Sequence, residues 1–102
     1  MKNRQAHVAV IGLGYVGLPL AVEFARSGFS VTGVDVSGDR VGAVNEGRSY
    51  IADVDDGDVG PLAADHSAFD YRQIVASSRV VVDTRNATGK AGLKEPEKIV
   101  KI

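Results

Sequence analysis

The chain has 102 residues, room for one small domain that buries about 60–65% of its unfolded surface. Twelve basic against thirteen acidic side chains leave a formal charge of −1, which provides no basic surplus for nucleic acid or an anionic membrane. The absence of cysteine excludes disulfides, thiolate metal sites and a cysteine nucleophile.

His7-Val8-Ala9-Val10-Ile11 is a short apolar, largely β-branched run halted by Gly12, the pattern of a buried parallel strand. From Tyr15 to Ser27, Val16, Leu20 and Phe24, with Ala21 and Ala25, recur at helical spacing. Pro19 sits near the first turn, and Gly28 stands where a helix commonly ends in a left-handed residue. Ser30 to Val36 reads as a second strand, and Ser37 as the N-cap of a short helix over Gly38 to Asn45. Strand, helix, strand, helix in this order implies a parallel sheet with right-handed crossovers.

Residues 46–66 break the pattern: Gly47, Gly57, Gly60 and Pro61 interrupt it, and Asp53, Asp55, Asp56 and Asp58 crowd together. The expectation is an irregular linker, centred on 55–65, with the acids solvated. Their spacing does not match a calcium loop, and no metal site is expected. Asp70 to Ala76 then reads as one or two helical turns, Arg79 to Asp83 as a third buried strand and Thr84 to Lys90 as a turn-rich exit. Ile99 to Ile102 reads as a short edge strand. No apolar run approaches the roughly 18–20 residues of a membrane span. Met1 to Ala6 lack a signal-peptide core, so a soluble cytoplasmic protein with no membrane partner is expected.

Gly12-Leu13-Gly14-Tyr15-Val16-Gly17 matches G-x-G-x-x-G between a strand and a helix, the context that gives the pattern meaning. Gly12 allows the tight turn, Gly14 a close backbone approach to a pyrophosphate, and Gly17 close packing of helix on strand. Amides at the helix start, at Tyr15 and Val16, then face the phosphates. Asp35 ends the second strand, 18 residues beyond Gly17. A carboxylate there accepts from the adenosine ribose hydroxyls and repels a 2′-phosphate, so the cofactor expected is NAD rather than NADP. Arg40, a helical turn further on, either reaches the adenosine end or is a solvated helix residue. Tyr50 and Tyr71 read as packing residues and Asp83 as a strand-end or cap residue. Neither His7 nor His66 has a sequence partner that would make it catalytic.

Val8 to Ala21 (V-A-V-I-G-L-G-Y-V-G-L-P-L-A), Asp35 with Arg40, and Gly47 to Val54 resemble the N-terminus of the UDP-glucose/GDP-mannose 6-dehydrogenases, most of all the bacterial UDP-N-acetyl-hexosamine 6-dehydrogenases. His66 to Tyr71 and Val82-Asp83-Thr84-Arg85-Asn86-Ala87 resemble the end of that family's C-terminal domain. There the strand-end arginine belongs to a ligand-binding surface, which makes Arg85 a candidate cleft residue; pairing with nearby carboxylates is the alternative. In the family several hundred residues separate the two segments. The resemblance therefore implies an internally shortened member, lacking the substrate domain and the catalytic cysteine that carries the thiohemiacetal and thioester. No catalytic residue is assigned. The fold expected is a small three-layer Rossmann-like unit: about three parallel strands in the order 2-1-3, with a possible extra edge strand. Open sheet edges suggest a homodimer.

Overall fold

A computed structural model describes residues 7–66, 78–85, 88 and 99–101. Five parallel strands form one sheet: β1 (His7–Ile11), β2 (Ser30–Asp35), β3 (Ala63–His66), β4 (Val80–Asp83) and β5 (Ile99–Lys101), in the order β3-β2-β1-β4-β5. The helices are α1 (Gly17–Arg26), α2 (Gly38–Asn45) and α3 (Asp56–Val59). The expected order survives as the middle of the sheet, because β1 lies between β2 and β4 in register Ala9 to Thr32 and Ala9 to Val81. β1 is central, and Val8, Ala9, Val10 and Ile11 are all buried, as a strand covered on both faces requires.

The helix ends follow from local chemistry. α1 stops where Gly28 takes φ +98°: Gly28 N–H donates to the Ala25 carbonyl at 3.0 Å and Phe29 N–H to Phe24 at 3.1 Å. The rings of Phe24 and Phe29 close this cap edge-to-face, 5.8 Å apart, adding the apolar contact typical of such an ending. α2 repeats the device at Gly47 (φ +73°), and at its start the Ser37 hydroxyl accepts from Arg40 N–H.

The sheet has two more strands than the three assigned at high sequence contrast; one is the expected edge strand β5, and the other lies in the expected linker. Residues 46–66 are not an irregular connector. They contain α3 and β3, and β3 pairs with β2 in register Thr32 to Ala63 and Asp35 to His66. Ile51, Val54, Val59 and Leu62 from this stretch are buried in the same core as Val10, Leu18 and Val44. Two of the four acids are also engaged, Asp58 pairing with Arg26 at 2.8 Å and Asp56 accepting from Ser49 N–H at 2.7 Å, while Asp53 and Asp55 are exposed as expected. Asn45 fixes the new strand, donating to and accepting from the Ala64 backbone. The expected turns over Asp70 to Ala76, and Tyr71 with them, lie outside the described residues.

Val59 tests this placement, because it is fully buried. Val59→Ala is expected to lower the unfolding free energy by about 2 kcal/mol, read from the urea midpoint. A connector residue would change it by less than about 0.5 kcal/mol.

Candidate dinucleotide site

The three motif glycines meet three different constraints. Gly12 has φ +93°, and a Cβ there would lie 2.2 Å from Thr84 Oγ1 and 2.8 Å from Arg85 Cγ. A Cβ on Gly17 would lie 1.6 Å from the Gly12 carbonyl oxygen, so only glycine lets α1 start this close to β1. Gly14 differs: the nearest atom to a Cβ there is Arg40 Nη1 at 3.6 Å, an ordinary contact. No packing within the described residues demands glycine at Gly14. Its bareness opens the backbone to the outside, as a ligand held against it would need.

Leu13, between the first two glycines, is fully buried and held from three directions. Its N–H donates to Asp35 Oδ2 at 2.7 Å, and its carbonyl accepts from the Tyr50 hydroxyl at 2.6 Å. Its side chain occupies the gap left by Gly33, where a Cβ would fall 2.7 Å from both leucine methyls. Gly33 in the second strand is thus a glycine-loop residue at one remove.

Asp35 lies at the end of β2 as expected, but its carboxylate faces inward. The side chain has no exposed surface, and Oδ1 accepts from Ser37 N–H at 2.8 Å while Oδ2 takes the Leu13 amide. Arg40 Nη1 lies 3.6 Å from Oδ2 and covers it. The carboxylate expected to accept from ribose hydroxyls thus lies beneath an arginine. Of the Arg40 alternatives, the structure shows a side chain that is partly exposed, paired with Asp35 and on the wall of the cleft described below.

Tyr50, expected to pack, proves polar in its contacts. Besides its bond to Leu13, its ring lies 5.8 Å from the Arg40 guanidinium carbon, within cation–π range. Burial pushes the phenol up to about 12, opposed by the Arg40 charge and supported by Asp35. Asp83 is the cap it was expected to be, buried and accepting from Arg85 N–H at 3.0 Å and Thr88 N–H at 2.9 Å.

A cleft of about 210 Å³ lies over the loop, lined by Gly12, Gly14, Tyr15, Val16, Gly17, Arg40, Thr84 and Arg85. It brings together every expected site residue except Asp35. At its floor α1 begins without a side-chain cap and without an acid in its first turn, whereas α2 has both. Uncapped amides and the positive end of the dipole therefore face the cleft.

This arrangement defines a dinucleotide-binding Rossmann-like unit. Residues 6–59, just over half of the chain, match the UDP-glucose/GDP-mannose dehydrogenase family, NAD binding domain, and the chain belongs to that family. Its cofactor is NAD. The chain is 46% identical over 44 residues to UDP-N-acetyl-D-mannosamine dehydrogenase of Pyrococcus horikoshii, covering 43% of this chain and 10% of that protein. Against UDP-N-acetyl-D-glucosamine 6-dehydrogenase of Pseudomonas aeruginosa it is 48% identical over 48 residues, covering 47% and 11%. Among solved structures it is similar to a ternary complex of GDP-mannose dehydrogenase from Pseudomonas aeruginosa, with a TM-score of 0.62 and 29% identity over 74% of this chain and 18% of that one. It shares the fold of a UDP-D-ManNAc dehydrogenase from Pyrococcus horikoshii, with a TM-score of 0.67, 22% identity and coverage of 93% and 28%. The chain spans about a tenth of the length of the curated relatives.

The glycines separate experimentally. Gly17→Ala is expected to unfold the domain or lower its melting point sharply. Gly14→Ala leaves stability unchanged or raises it by up to about 1 kcal/mol, through the less flexible unfolded chain, yet weakens NAD. Calorimetric melting with and without NAD reads both effects. Tyr50→Phe loses the bond to Leu13 and about 1 kcal/mol at neutral pH. A phenol raised from 10.0 to about 12 stabilises the fold fully below pH 10, and that contribution is lost as pH rises through 12. Melting points between pH 9 and pH 11.5 should therefore fall less steeply in Tyr50→Phe than in the native chain.

Proposed function

We propose that this chain is an NAD-binding module of nucleotide-sugar dehydrogenase type that performs no turnover by itself. The observation that carries the binding half is Gly14, whose open Cβ position lies beside uncapped α1 amides. The amides of Tyr15 and Val16 and the backbone at Gly14 would hold the pyrophosphate. Asp35 would take the adenosine ribose after Arg40 moves aside. A carboxylate offers about four acceptor positions, and two are used by Leu13 and Ser37. The cleft, about 210 Å³, is smaller than the roughly 300–1,000 Å³ of a whole small-molecule pocket, so it suits the diphosphate and leaves the nicotinamide end little wall.

The lack of turnover rests on chemistry. NAD supplies hydride acceptance, but oxidation of a sugar alcohol to a carboxylate through a thioester needs a thiol, and the 102 residues contain none. We attribute β4, Thr84 and Arg85 to the end of the family's second domain. One observation favours a competing reading, a scaffold without useful affinity: the Asp35 side chain is fully covered.

A thermal titration decides between them. With NAD at a hundredfold excess over Kd the fold should gain about 2.7 kcal/mol, and NADP should give less. No shift at millimolar NAD would leave the scaffold. NADH appearing with NAD and a UDP-sugar would overturn the absence of turnover.

A further inference from the structure

Two arginines border the cleft, and they arrive from opposite sides of β1. Arg40 comes from α2, beyond β2, while Arg85 follows β4. Their charges are differently committed. Arg40 is offset by Asp35, 3.6 Å away, and rests on the Tyr50 ring. Arg85 is exposed and has no carboxylate partner among the described residues, so the pairing expected as its alternative is not found there. Its stem is fixed nonetheless. The Arg85 amide is bonded to Asp83 Oδ1 at 3.0 Å, and its Cγ and Cδ run across Gly12, at 2.8 and 3.1 Å from where a Cβ would stand.

An arginine held by its stem against the phosphate loop, with an uncommitted guanidinium on a cleft wall that carries no carboxylate, is built to meet an anion. α1 can hold one phosphate group. The β4 side of the loop is where the second would lie. We infer that Arg85 anchors the second phosphate, and that the preferred ligand class is the adenosine 5′-diphosphate group itself, whatever is attached beyond it. This rests on the dinucleotide reading of the cleft and narrows it. ADP, whose terminal phosphate carries more charge than the bridging pyrophosphate of NAD, binds at least as well as NAD, and AMP binds clearly less well. Planar two-point contact with a phosphate favours arginine over lysine at this place.

Calorimetric titration of AMP, ADP and NAD into the native chain and Arg85→Gln tests it. The substitution should melt within about 2 °C of the native chain, as exposed changes do. ADP and NAD are expected to weaken about tenfold, the effect of one charge-assisted contact, and AMP less than twofold. If ADP and NAD stay within twofold in Arg85→Gln, or all three ligands weaken alike, the inference falls while NAD binding stands. If neither NAD nor ADP binds the native chain, the inference and the NAD-binding reading fall together.

Discussion

The hydrogen bond from Leu13 N–H to the buried Asp35 carboxylate ties the exit of one strand to the exit of the next, 22 residues on. A fully covered carboxylate is stable only when its oxygens are satisfied, and here two backbone amides and an arginine satisfy them. Because those amides belong to the glycine loop and to the start of α2, one charge sets the position of both. Leu13 is then clamped through its carbonyl by Tyr50 and through its side chain by the space at Gly33. With Leu13 immobile, the loop presents Gly14 and the α1 amides in one orientation. Preorganisation of this kind lowers the ordering cost of binding.

The same clamp gives α1 its place. Gly17 touches the Gly12 carbonyl, and Leu18 N–H donates to Gly14, so the helix begins directly beneath the loop instead of after a spacer. Thr84 closes the other side, its amide and hydroxyl both donating to the Ile11 carbonyl, at 3.0 and 2.8 Å. The cleft therefore stands over the exits of β1 and β4, with Arg40 reaching it from α2, at the carboxyl ends of parallel strands, where open α/β sheets bind ligands.

The elements readable in the sequence are those whose signal is local. α2 was legible over Gly38–Asn45 because Ser37 caps it and Gly47 ends it, and β1 because four apolar residues, Val8 to Ile11, run unbroken. β3 was not, since Ala63-Ala64-Asp65-His66 has no β-branched residue and follows Gly60 and Pro61; its strand form depends on pairing with β2 and on Asn45. At the site, the glycines and Asp35 were legible by position. The direction of the Asp35 carboxylate was not, because its partner lies 22 residues away. Tyr50 was missed for the same reason: a tyrosine after a helix looks like any packing aromatic, and its bond to Leu13 spans 37 residues. Gly33 carried a usable signal, a glycine within an otherwise β-branched strand, which marks a close approach.

The sequence presents a glycine loop and an acid as two separate signs of a dinucleotide site, but in the fold they are one object. A ribose that draws on Asp35 draws on the group that also holds Leu13, so recognition at the adenosine end and geometry at the phosphate end are coupled through a single carboxylate. On the reading proposed above, Arg40 stands between the two: lying 3.6 Å from Oδ2, it would have to move before a ribose reached the carboxylate. The Tyr50 face already in contact with its guanidinium offers a cationic side chain a place to remain. On that reading Asp35 would exchange an arginine for a ribose while keeping both amides, Leu13 and Ser37, in place.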